Sequence, residues 1–136
     1  MTQRGDEKPR VLMVDDDLDF HAIVRGWLAP RFEHVAMTSG EGLLEQLEAL
    51  EPDLLILDVR MPGAGGFELC AQVRSERRFD ALPILFLTGC KEDEDFVSNL
   101  KAGGTAFLSK PVGRRLLVAT LRGLIPDRYE SIGVGD

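Results

Sequence analysis

The stretch Leu54-Leu55-Ile56-Leu57-Asp58 constrains the fold of this chain more than any other. Four apolar residues in a row end in one carboxylate, and Val59-Arg60-Met61-Pro62 leads on into a loop. A run so short and so uniformly apolar fits a strand buried on both faces of a parallel sheet. A carboxylate at the C-terminal end of such a strand lies on the edge where open α/β sheets hold their chemistry.

The chain repeats this unit on either side. Arg10 to Val14 reads as a first buried strand ending at Asp15-Asp16-Asp17. Leu18 to Pro30 follows as an amphipathic helix with Leu18, Ile23, Trp27 and Leu28 apolar, capped by Asp16 or Asp17. Val35 to Met37 is a short second strand. A helix from Thr38 or Ser39 to Leu50 puts Leu43, Leu44, Leu47 and Leu50 on one face, and Pro52 ends it. After the strand Asp53 to Asp58, a loop from Met61 to Gly66 leads to a helix from Phe67 to Arg78 that buries Phe67, Leu69, Cys70 and Val73. Pro83 to Leu87 is a fourth strand ending at Thr88. Lys91 to Ala102 is a fourth helix, its acidic front (Glu92 to Asp95) suited to the positive helix end and Gly103 its terminator. Thr105 to Ser109 is a fifth strand ending at Lys110-Pro111, and Gly113 to Leu124 a fifth helix. Strands alternating with helices predict an α/β three-layer sandwich, a five-stranded parallel sheet with five helices over its faces. For this size the expected strand order is the flavodoxin-like 2-1-3-4-5.

Length predicts one domain, 9–125, between a lead-in (1–8) and a C-terminal tail or linker stub (126–136). With 16 basic against 23 acidic residues the net charge is −7, which repels nucleic-acid backbones. Cys70 and Cys90 make no metal-ligand spacing and read as free thiols of a reducing compartment. No apolar run reaches transmembrane length and Met1 to Pro9 is too polar for a secretory signal, so a cytoplasmic location away from membranes is expected. His21 and His34 have no partner in the sequence and are expected at the surface. Met13 and Met61 read as packing residues.

Four of the five strands end in a chemically usable residue: Asp15 and Asp16, Asp58, Thr88 and Lys110. The separations, 42 from Asp16 to Asp58, 30 on to Thr88 and 22 on to Lys110, are whole strand–helix units, so a parallel sheet brings all of them to one edge. Three carboxylates there repel: two charges ~4 Å apart cost about 4 kcal/mol at an effective dielectric of ~20. A hard cation with oxygen ligands, Mg²⁺, relieves this. A carboxylate nucleophile, a metal, a lysine clamp and a hydroxyl donor form the set that phosphoryl transfer uses.

At these residues the chain resembles the receiver domains of two-component response regulators. The resemblance rests on Val14-Asp15-Asp16, Leu57-Asp58 with Met61-Pro62 and Gly66, Leu87-Thr88, and Lys110-Pro111, over residues 9 to 125. It implies that Asp58 accepts a phosphoryl group from a phosphohistidine on a sensor histidine kinase or phosphotransfer protein. It implies Mg²⁺ held by Asp16 and Asp58 directly, by Asp15 through water and by the Arg60 carbonyl. It implies that Lys110 and Thr88 hold the phosphoryl oxygens. Movement of Thr88 would turn Phe107 inward and reshape the face made by the fourth helix, fifth strand and fifth helix, to be read by a downstream effector domain or protein. Such a switch catalyses its own phosphorylation without turning over an external substrate.

Departures from the family pattern bear on the details. Gly65 replaces a frequent Asp, and Gly89 a usual Ala, which would loosen the loop after Thr88. Phe107 lacks the hydroxyl of the common Tyr, so the switch is reduced to packing. Arg60 and Cys90 fall at the positions that tune dephosphorylation.

Three other readings compete. A phosphorylation-independent pseudo-receiver, a binding module, is opposed by the complete set Asp15, Asp16, Asp58, Thr88 and Lys110. A small phosphohydrolase is suggested by Asp15-x-Asp17, which resembles the haloacid-dehalogenase motif, but no acid follows Lys110 before Asp127. A flavin-binding flavodoxin lacks a Ser/Thr-rich phosphate loop after strand 1, where three Asp stand instead.

Overall fold

A computed structural model describes residues 8–89, 92 and 106–125. Its elements are β1 (Arg10–Val14), α1 (Leu18–Leu28), β2 (Glu33–Met37), α2 (Leu43–Leu50), β3 (Leu54–Asp58), α3 (Gly66–Arg74), a 3-10 turn (Arg77–Phe79), β4 (Ile84–Thr88), β5 (Ala106–Ser109) and α4 (Arg114–Leu124). The predicted fourth helix, Cys90 and the tail lie outside the described residues, so α4 is the fifth helix of the sequence reading. The sheet is parallel throughout, in the order β2-β1-β3-β4-β5, as expected.

Strand pleating sorts the apolar residues to two faces. Val11, Met13, Leu54, Ile56, Leu85 and Leu87 pack under α1 and α4 with Val24, Leu28, Leu117 and Leu121. Leu12, Val14, Leu55, Leu57, Ile84 and Phe86 pack under α2 and α3 with Leu43, Leu47, Leu69, Cys70 and Val73. All five residues of β3 are buried, which is why its sequence shows no alternation. Each of its leucines contributes ~2 kcal/mol by leaving water.

Several boundaries and faces differ from the sequence reading. Of the two expected caps of α1 it is Asp17 that serves, accepting the Phe20 amide at 3.1 Å. The buried stripe of α1 is His21, Val24 and Leu28, while Leu18 and Ile23 are 67% and 49% exposed. α2 starts only at Leu43, because Gly42 ahead of it stands at φ 77, outside helical geometry. α3 stops at Arg74, short of the predicted end at Arg78. The Arg74 guanidinium turns to the carbonyls of Phe79 (2.6 Å) and Leu82 (2.7 Å) and pins the 3-10 turn against the helix end.

The histidines overturn the surface expectation. His21 is 3% exposed and His34 9%. His21 Nε2 donates to the carbonyls of Asp15 (2.8 Å) and Met37 (3.1 Å). With Nε2 donating, its Nδ1 is placed to accept the Nε2–H of His34 at 3.3 Å. Each had its partner in the other, 13 residues away, which no local spacing reveals.

Candidate functional site

The sheet order puts the ends of β1, β3, β4 and β5 side by side and leaves β2 on the outside. Asp15 follows β1, Asp58 closes β3, Thr88 closes β4 and Lys110 follows β5. Register holds them level: Asp58 pairs with Leu87 and Thr88 with Ser109, and the Lys110 amide donates to the Thr88 carbonyl at 2.7 Å. Asp15 is tied to the outer strand by its amide on the Met37 carbonyl at 3.0 Å and by His21 behind it.

The carboxylates of Asp15, Asp16 and Asp58 each offer an oxygen, and the three oxygens lie within 4.8 Å of one another. Asp15 and Asp58 are buried, at 1% and 6% exposure, and Asp16 is exposed. Lys110 Nζ reaches between the buried pair, 3.0 Å from Asp15 Oδ2 and 3.5 Å from Asp58 Oδ1, with the Phe20 ring 5.0 Å away. The other Asp15 oxygen takes the Asp17 amide at 2.9 Å. Thr88 is fully buried.

Burial, with the Asp15 charge beside it, pushes the Asp58 carboxyl up to about 6 against the pull of Lys110 and of the Arg60 backbone N–H. Burial opposes the Lys110 charge, but the Asp15 and Asp58 carboxylates outweigh it and hold the ammonium above the ordinary lysine value. One ammonium therefore serves two buried carboxylates, and the site retains excess negative charge. All-oxygen donors, one open to water, suit a small hard cation that keeps part of its hydration. These residues fit Mg²⁺.

Val59 and Arg60 carry the chain out of β3, and Gly66 returns against it, its amide on the Val59 carbonyl at 3.0 Å. A Cβ at Gly66 would lie 2.7 Å from the Asp58 carbonyl oxygen and 3.0 Å from Val59 Cα, so only glycine fits here. A Cβ at Gly65 would meet the Val59 carbonyl oxygen at 2.5 Å, so an aspartate there would need a shifted backbone. At Gly89 the nearest atom to an added Cβ is Lys110 Cβ at 3.8 Å, ordinary contact. Phe107 is half-buried, in register with Phe86. Lys110-Pro111 is a cis peptide. The Arg60 backbone N–H on Asp58 and the His21 support of Asp15 are site features that the sequence reading missed. The first is a main-chain group with no side-chain signature. The second had a faint one, since His21, Val24 and Leu28 share a helix face.

No described helix is long and apolar enough to cross a membrane. The profile of the response regulator receiver domain matches residues 11–122. The transcriptional regulatory protein AfsQ1 of Streptomyces coelicolor is 37% identical over 118 residues, 86% of this chain and 51% of that protein. The transcriptional regulatory protein GltR of Pseudomonas aeruginosa is 33% identical over 116 residues, 85% of this chain and 48% of that protein. The chain thus spans about half the length of these relatives. The structure of the Vibrio cholerae chemotaxis protein CheY4 superposes with a TM-score of 0.79 at 29% identity, covering 87% of this chain and 99% of that one. With a family match over most of its length, on strands that end in the acidic cluster, Thr88 and Lys110, the chain belongs to the receiver domains of two-component response regulators.

Proposed function

We propose that Asp58 is the phosphoacceptor and that the surrounding residues carry out a Mg²⁺-dependent transfer to it from a phosphohistidine. The observation that carries this reading is the position of Lys110, whose ammonium stands between Asp15 and Asp58. Asp15, Asp16, Asp58 and the Arg60 carbonyl would hold the ion, with Asp15 acting through water. Bound there, Mg²⁺ supplies positive charge to the oxygens of the transferring group. An Asp58 carboxylate oxygen attacks phosphorus, the P–N bond to the donor imidazole breaks, and an acyl phosphate forms on Asp58. Lys110 exchanges its contact with Asp58 for a phosphoryl oxygen, keeping its charge throughout. Thr88 turns its hydroxyl to another phosphoryl oxygen, and Phe107 follows into the space released, a packing event without a hydroxyl to lock it. The fifth strand and its flanking helices then present a changed face to an effector. No outside substrate is consumed; only the donor phosphohistidine is spent.

The donor's proposed approach is along α1. Leu18 and Ile23 are exposed there, and Phe20, Ile23, Trp27, Pro111 and Val112 line an apolar groove of about 450 Å³ that reaches Lys110. Apolar exposure next to the acceptor suits a helical phosphohistidine protein laid against α1.

Intact mass after incubation with a small-molecule phosphodonor tests the reading. One phosphoryl group gained with Mg²⁺ and none with EDTA is the expected result. No gain in either condition, with no Mg²⁺ binding, would leave a binding module that works without phosphorylation.

A further inference from the structure

A second charged feature lies away from the acidic edge. Arg31, Arg114, Arg115 and Arg122, with Trp27 and Phe32, line a groove of about 410 Å³ between α1 and α4. Among the described residues no carboxylate lines it, in a chain whose net charge is −7. Arg114 and Arg115 open α4, whose first turn holds no acidic residue. A helix N-terminus carries positive partial charge, so two arginines there cost stability rather than add it. Arg31 stands half-buried in the same wall. The excess of positive charge is therefore set against the helix dipole. A bound anion offsets it.

The walls narrow the kind of anion. Phe32, 2% exposed, forms a floor, and the half-buried Trp27 offers an indole beside the guanidinium groups. Guanidinium forks match phosphate oxygens, and an aromatic wall takes a flat ring by stacking. The volume is that of a small-molecule site, too confined for a duplex, whose approach the net charge opposes. We propose that the groove between α1 and α4 binds a nucleoside phosphate, with the phosphates on Arg31, Arg114 and Arg115 and the base against Trp27. The site is separate from Asp58 and does not depend on phosphorylation there.

Trp27 is the single tryptophan of the chain and lines both this groove and the apolar one beside Lys110, so its emission reports binding and the arginine variants assign it to this groove. The full chain would be titrated with ATP in EDTA, which keeps metal away from the acidic cluster, exciting at a wavelength that adenine does not absorb. Adenosine and inorganic pyrophosphate serve as part-ligands, and equilibrium dialysis of ATP as a second readout. Saturable quenching by ATP is expected, with adenosine and pyrophosphate each at least ~10-fold weaker. Arg115→Gln should weaken ATP by about tenfold and the Arg114→Gln/Arg115→Gln pair by more, as loss of charge-assisted bonds predicts. Both side chains are exposed, so the variants should melt like wild type. Absence of saturable binding by both readouts would overturn the proposal. So would unchanged ATP affinity in the double variant, or pyrophosphate or adenosine binding as tightly as ATP.

Discussion

Lowering the pH should destabilise this protein through His34, by an amount that the structure sets. The ring is buried, its Nε2–H is committed to His21, and its Nδ1 is buried without a partner. A proton on Nδ1 would put a cation in a dry site beside His21 and Arg25, and burial followed by these neighbours lowers the pKa from 6.5 to about 4. The unfolded chain takes up this proton near pH 6.5 and the folded one only near 4, so between those values the unfolded state holds more protons. Stability is then full above about 6.5, declines as pH falls, and stops declining below about 4. At ~1.4 kcal/mol per pH unit the whole effect is about 3 kcal/mol, of which about 2 kcal/mol is lost by pH 5. Urea unfolding at pH 7.5 and 5.0, in EDTA, measures it. His34→Gln keeps an N–H toward His21 Nδ1 and does not titrate. Wild type should lose about 2 kcal/mol more than His34→Gln between the two pH values. Carboxylate titration is common to both proteins and cancels. Equal losses would refute the assignment of His34 as a buried neutral ring.

Other outcomes follow from the same geometry. Gly66→Ala forces a Cβ onto the main chain of Asp58 and Val59, where no rotamer change makes room; a loss of ~1–3 kcal/mol in chemical denaturation and slower phosphorylation are expected. Asp58→Asn removes one of the crowded charges, so in EDTA it should unfold ~1–3 kcal/mol later than wild type, and Mg²⁺ should stabilise it less. Arg60→Ala removes an exposed cation two residues past Asp58; the decay rate of the acyl phosphate should change, and an unchanged rate would exclude Arg60 as a tuning residue.

The parts legible in the sequence were those fixed by covalent order and strand burial. Asp58 ends an apolar run, and Asp15, Thr88 and Lys110 each end another, so a parallel sheet had to align them. Edges and ends were less legible because tertiary contacts override periodicity. Leu18 and Ile23 fit a helical stripe by type, yet α1 buries His21 in their place, since a paired histidine that ties β1 to β2 is satisfied there. α3 ends where Arg74 finds carbonyls in the following turn, a contact made only once the chain has folded back. The Arg60 amide on Asp58 left no mark in residue type at all. The arginine groove was dispersed over positions 31, 114, 115 and 122, and only the packing of α4 beside α1 assembles it.

Whether Asp58 itself takes the phosphoryl group is read by phosphorylating the chain with a small-molecule donor and Mg²⁺, reducing the acyl phosphate with borohydride, and mapping the altered residue by peptide mass spectrometry. Reduction at position 58 alone, and none in Asp58→Asn, is the expected result. Label at Asp15 or Asp16, or a stable phosphoryl group on a serine, threonine or histidine with position 58 untouched, would contradict it.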